Sequence, residues 1–310
     1  MNDVEPREPW PALVSDGWLD TLETLHLWTQ VVGKVRLVQT PWMNHSWHVT
    51  LYLTPRGMTT GPMPHGERGF VLDFDFFDHE LRVSTCEGQR DAVRLAPRST
   101  ADFYRAVMAM LERVGRPVRI NPMPNEIPDA IPFPEDEVHG AYDPDVAHRL
   151  WRTLFSADAV FRDFRSRWWG KASPSHFFWG SFDLAVTRFS GRAAPDHPGG
   201  LPNLPLWVAQ EAYSHEVSSA GFWPGNRDLP EPIFYSYAYP TPEGMAGANV
   251  QPEAGRWSGD LGEFVLPLEA VRGADDPRGT LESFLESTFR AAATLGEWPE
   301  LTGERRHFPA

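Results

Sequence analysis

The chain reads as an α+β protein: two similar helix–four-strand–helix halves whose antiparallel sheets merge into one body. Three observations predict this. Apolar positions switch repeatedly between the 3.6-residue period of helices and the two-residue period of strands. Thirty prolines and 25 glycines among 310 residues interrupt the chain too often for a helical bundle. Short polar connections such as Asp78-His79-Glu80 join neighbouring strands as hairpins, which makes the sheets antiparallel.

The elements follow in order. Asp20–Leu37 spaces Leu22, Leu25, Leu27, Val31 and Val32 as an amphipathic helix. Trp47–Thr54, Phe70–Phe77, Leu81–Thr85 and Ala92–Ala96 alternate as strands. Thr100–Val114 is helical again, with Ser99 or Thr100 as N-cap and Phe103, Val107, Met110 and Leu111 on one stripe. A short strand at Pro117–Ile120 is expected next. Asn121–Glu137 carries five prolines and no helical period, so it reads as an extended connector.

The second half repeats the scheme. Asp143–Trp169 is a long helix capped by Asp143, with Pro144 at its first position. Phe177–Phe189, Ala212–Phe222, Phe234–Tyr239 and Gly262–Leu268 read as strands, and Pro277–Leu295 as a closing helix ended by Gly296. Ala193–Pro205 and Pro240–Gly259 are loops. Gly33-Lys34 and Gly170-Lys171 occupy corresponding places, each ahead of a proline and a His-led aromatic strand. An old duplication and the ordinary alternation of an α+β chain both fit that correspondence. The expected organisation is a first half at 1–137 including the connector, a second at 138–303 and a tail at 304–310, folded as one integrated domain.

Composition excludes several functions. The net charge is −14 and no basic tract occurs, so a nucleic-acid backbone has nothing to bind to. No run of about 18 apolar residues suggests a membrane span. MNDVEPREPWP has no basic segment followed by an apolar one, so no secretory signal is expected. Cys86 is the only cysteine, which removes disulfide frameworks and cysteine-rich zinc sites and points to the cytoplasm. Nucleotide-cradling and serine-nucleophile motifs are absent, and the cofactor remains unassigned.

What remains is an aromatic-rich chain, with 13 Trp, 19 Phe and 7 Tyr. Their placement suggests a pocket. Along Phe177–Phe189, Phe178, Gly180, Phe182, Leu184 and Val186 form a core face. Phe177, Trp179, Ser181, Asp183, Ala185 and Thr187 form a mixed aromatic and polar one. Trp47–Thr54 divides likewise, with Ser46, His48, Thr50, Tyr52 and Thr54 opposite Trp47, Val49, Leu51 and Leu53. Rings supply contact area and a few polar groups fix orientation, as a small-molecule site requires. The candidate pocket is Trp47, His48, Tyr52, His176, Trp179, Asp183, Arg188, His215, Glu216 and Trp223. Arg188 reads as a structural ion pair with Glu211, Glu216 or Asp73, or as an anchor for a ligand carboxylate. Asp73 and Asp75 read as a solvated edge before a cation site. A metal on His26, His48, His176, His215 and Glu216 is the minority reading, so no metal is assigned.

The strings Trp10-Pro11-x-Leu13, TLHLWTQ at Thr24–Gln30, NHSWHV at Asn44–Val49 and FVLDFDFFD at Phe70–Asp78 resemble an uncharacterised bacterial family. So do HFFWGSFDLAVTRFSGR at His176–Arg192 and EAYSHEVSSAGFWPG at Glu211–Gly225. The resemblance covers nearly the whole chain. It is to a domain of unknown function, so it implies no chemistry and transfers no catalytic residue. The residues themselves favour a protein that binds a small molecule between the two halves. The alternative is a hydrolase in the same cleft, cofactor-independent or metal-assisted, with His176 or His215 as base and Asp183 or Glu216 orienting it. A third reading makes the aromatics a partner surface.

Overall fold

A computed structural model describes residues 8–299; the expected tail at 304–310 lies outside the described residues. The first half opens with α1 (Trp18–Gln39). It continues through β1 (Tyr52–Thr54), β2 (Gly57–Thr59), β3 (Met63–His65), β4 (Arg68–Asp75), β5 (Glu80–Thr85) and β6 (Arg90–Arg94), and closes with α2 (Thr100–Arg113). The second half has α3 (Pro144–Ser166), β7 (His176–Phe178), β8 (Asp183–Ala193), the short α4 (Leu206–Ala212), β9 (His215–Trp223) and β10 (Ile233–Tyr239). It ends with β11 (Arg256–Ser258), β12 (Glu263–Pro267), α5 (Leu268–Arg272) and α6 (Pro277–Leu295).

Two antiparallel six-stranded sheets result, making the fold mixed α+β. One runs β1-β2-β4-β5-β6, with β3 also on β4; the other runs β11-β12-β10-β9-β8-β7. Six strands per half replace the expected four because β2, β3 and β11 have three residues each, too few for a two-residue period to register, and Phe177–Phe189 divides into β7 and β8. The sheets meet edge to edge. Leu51 and Phe177 exchange both backbone hydrogen bonds, at 2.9 and 2.8 Å, and one apolar cluster runs through both halves.

Local signals set most helix ends. Ser99 accepts from the Asp102 N–H, and Asp143 accepts from the Asp145 and Val146 N–H groups ahead of Pro144. α6 stops at Leu295, before Gly296. Trp28 fills the core, stacked on Phe103 at 4.4 Å between ring centres. Among the described residues no helix is long and apolar enough to cross a membrane.

Several expectations need correction. α1 is buried on nearly all sides, and its polar Thr24, Gln30, Lys34 and Arg36 are buried too, so it is not an amphipathic surface helix. Trp47–Thr54 is not one strand. His45 and Ser46 take left-handed backbone at φ +57° and +56°, and regular pairing starts only at Tyr52. Phe177–Phe189 is a hairpin, with Trp179–Phe182 turning between β7 and β8 through Phe182 at φ +62°. Its register sets Phe178 opposite Asp183 and Phe177 opposite Leu184. The turn therefore exchanges the faces of Phe177 and Phe178, leaving the β8 assignments intact. Pro117–Ile120 is irregular. Asp75 is neither solvated nor a cation ligand: Arg56 Nε and Arg82 Nη1 each reach its Oδ2 at 2.5 Å.

Candidate functional site

One face of the second sheet forms the floor of a cavity. On β8 the alternation presents Asp183, Ala185 and Thr187, while Leu184 and Val186 point into the core. Val217 and Ser219 of β9 and Tyr235 and Tyr237 of β10 continue that floor. Tyr235 pairs with Gly221, where a Cβ would stand 2.3 Å from the Tyr235 hydroxyl. The bare Gly221 thus lets the phenol lie across β9 and donate to Asp183 Oδ2.

The walls come from the first half and from loops. α1 contributes Lys34 and Leu37; the segment after it contributes Trp42, His45 and Trp47. The connector supplies Asn125 and Glu126, the β8–α4 loop supplies His197 and Leu201, and α4 supplies Trp207. The cavity volume is about 630 Å³, within the range of small-ligand sites. The connector is pinned in place. Gln30 Oε1 accepts from the Asn125 N–H at 2.8 Å, Gln30 Nε2 donates to the Asn125 carbonyl at 2.9 Å, and the Glu126 N–H donates to the Pro202 carbonyl at 2.8 Å. His26 is held alongside, its Nε2 2.8 Å from the Gly180 carbonyl. The same Nε2 lies 3.1 Å from Gln30 Nε2.

Backbone strain gathers here. His45, Ser46, Glu126 and Asn203 line the cavity, all with φ between +54° and +61°. Left-handed geometry costs a non-glycine residue on the order of 1–3 kcal/mol, and such residues concentrate at functional sites.

The electrostatics are those of a desolvated acid cluster. Burial pushes the Asp183 carboxyl up, against the hydrogen bonds from Ser181 (2.5 Å) and Tyr235. Burial, then the charge of Asp183, raises Glu126 to about 7. The same causes raise Glu263 of β12 to about 8. The register Tyr235–Val265 puts Glu263 on the tyrosine-bearing face. Burial also raises Tyr213 to about 12, and its hydroxyl lies 2.8 Å from that of Tyr237. Lys34 moves the other way, down to about 8 by burial.

A family model described as a family of unknown function (DUF5996) matches residues 10–305. The chain belongs to that family. No curated protein and no solved structure matches it. For this DUF5996 member the site is therefore read from its own geometry.

Of the ten residues singled out from sequence, Trp47, Trp179 and Asp183 line the cavity. Trp179 packs its ring against Gly33 and donates from Nε1 to the Val49 carbonyl at 2.7 Å. The other seven lie off it. His48 is buried under Trp42, its Nδ1 accepting from the Met43 N–H at 3.3 Å, because the chain there is a turn and not a strand. Tyr52 lies on β1, beneath the Arg36 guanidinium. His176 is fully buried, is pushed down to about 3 by burial, and leaves Nε2 without a partner. His215 precedes the floor on β9 and bonds Ser214 Oγ. Glu216 accepts from Ser190 Oγ and Arg192 Nε at 2.7 and 2.8 Å. Trp223 ends β9, opposite Ile233.

Arg188 projects from the opposite sheet face, so it anchors no cavity ligand. Its guanidinium lies over the Phe164 and Phe289 rings, donates to the Phe164 carbonyl and pairs with Glu286 of α6 at 3.4 Å. The ion-pair reading holds with a partner from a helix far along the chain. Among the described residues no three His, Cys, Asp or Glu side chains are grouped to hold a metal ion. The residues missed are Lys34, His45, Glu126, Tyr213, Tyr235 and Tyr237. The Tyr-x-Tyr alternation of β10 is a signal that marks two of them; for Glu126 the connector offers none.

Proposed function

We propose that this protein binds a small molecule in the cavity between its two halves. The observation that carries the reading is the meeting of ring-lined walls with a buried polar cluster. Trp47, Trp179, Phe178 and Phe189 offer apolar area, while Asp183, Glu126 and Tyr235 offer hydrogen bonds. A ligand that fits is largely apolar with a few polar groups. The single cysteine, free and exposed, and the charge of −14 support action in a reducing, aqueous compartment such as the cytoplasm. Hydrolysis has less support, since His176 and His215 lie off the cavity and His45 Nδ1 faces the Ala212 carbonyl instead of a carboxylate.

Thermal-shift screening against a metabolite library, with tryptophan fluorescence as a second signal, tests the reading. A ligand at 100 times its Kd stabilises by about 2.7 kcal/mol, a readable shift. Asp183→Asn and Trp179→Phe are expected to weaken that response. A library that moves neither signal in the wild-type protein sinks the proposal.

A further inference from the structure

The chain contains two lysines against 26 arginines; one lines this cavity and the other packs on residues that line it. Lys34 lines it. Lys171 holds its Nζ 2.5 Å from His45 Nε2, above the rings of Trp47 and Phe189, three lining residues. As a surface cation, arginine serves as well as lysine. An amine offers what a guanidinium does not: a neutral form within reach of physiological pH.

Burial shifts Lys34 toward the neutral form. The residue is 3% exposed, and Nζ donates to a neutral amide oxygen, Asn125 Oδ1, at 2.5 Å. Among the described residues no carboxylate forms an ion pair with it. Burial lowers its affinity for a proton to about 8. The other titratable groups facing the cavity are His45, Glu126, Asp183, His197 and the tyrosines 213, 235 and 237. Glu126, raised to about 7, directly follows Asn125 in the chain and keeps a protonated fraction near neutrality.

We propose that Lys34 is a nucleophile that forms an imine with an aldehyde or ketone bearing an apolar or aromatic group. The inference rests on the cavity being a ligand site. In the step, the Nζ lone pair forms a bond to the carbonyl carbon and the carbonyl π pair moves to oxygen. That oxygen takes a proton, and nitrogen gives one up. The resulting hydroxyl takes a second proton and leaves as water while the C=N bond forms, and nitrogen gives its remaining proton to solvent. The balance is amine plus carbonyl to imine plus water, with no oxidant or reductant. The rings supply the surface for the apolar group.

The test treats the folded protein with phenylacetaldehyde and sodium cyanoborohydride, then maps the alkylated amines by peptide mass spectrometry. Two lysines and the α-amino group make the map simple. At pH 7.5 an amine near 8 holds on the order of a hundredfold more neutral form than an ordinary lysine. The expected result is alkylation of Lys34 at least about tenfold greater in the folded protein than in urea, rising with pH through about 8. Reductive methylation with formaldehyde checks that Lys34 is reachable. Alkylation confined to Lys171 or the α-amino group overturns the proposal, as does equal reaction in the folded and urea-unfolded protein. Either result alongside library ligands that still shift Tm leaves the binding reading standing and removes only the nucleophile. Failure of both experiments removes both.

Discussion

The carboxyl of Glu126 occupies the space in front of Gly180: a Cβ built on that glycine falls 2.1 Å from Glu126 Oε1. Gly33 has a similar relation to Trp179, whose Cδ1 would lie 2.2 Å away. The neighbours differ in their freedom to move. A glutamate carboxyl is the far end of a flexible chain, whereas the Trp179 ring is pinned by its hydrogen bond to Val49. Gly33→Ala is therefore expected to destabilise by about 1–3 kcal/mol through overpacking. Gly180→Ala is expected to cost far less while changing ligand response. Urea denaturation of the two variants checks this, and equal midpoints contradict it.

Trp179→Phe keeps most of the ring area but removes the N–H that meets the Val49 carbonyl. Leaving a buried carbonyl unpaired costs about 1–3 kcal/mol. An unfolding midpoint equal to that of the wild-type protein would show that the bond contributes nothing.

Glu263 gives the protein a loss of stability toward high pH. Its carboxyl titrates near 4.5 when unfolded and near 8 when folded, so the folded state binds more protons between those values. Stability then falls as pH rises from about 4.5 through 8; Glu126, at about 7, adds to the same slope. Glu263→Gln is expected to flatten the Tm–pH curve over that window and to exceed the wild-type Tm by a few degrees at pH 9. Parallel curves for the two proteins refute it.

The buried histidines act at the other end. His26 and His176 are pushed down from 6.5 to about 4 and about 3 by burial. Below pH 6.5 the unfolded chain takes up protons that the folded one refuses, and stability drains away toward those lower values. His176→Phe keeps the volume and discards the titration. Its acid-unfolding midpoint, followed by circular dichroism, is expected at lower pH than that of the wild type. A midpoint at the same or higher pH rules the account out.

The parts of the fold that were legible are those governed by neighbours in sequence. The caps at Ser99 and Asp143, the stop at Gly296 and the alternation of Asp183, Ala185 and Thr187 each depend on residues a few positions apart. The left-handed turns at His45, Ser46 and Phe182 were not legible, because nothing in those side chains demands positive φ. They broke two expected strands, and so His48 and Tyr52 lost their place in the site while Phe177 and Phe178 changed sides.

Sequence alone determined the α+β class, the two-half plan, the family resemblance and the alternation that gives Asp183 its face. The tertiary structure decided what stands opposite that face. Glu126 reaches it from a connector without periodicity, Lys34 from a helix buried on nearly all sides, and Tyr235 by crossing Gly221. Arg188 found Glu286, 98 residues away. Helices and strands form from local periodicity, but a cavity is the space left between elements distant in the chain. Its lining, and the desolvation that shifts its titrating groups, exist only once those elements pack.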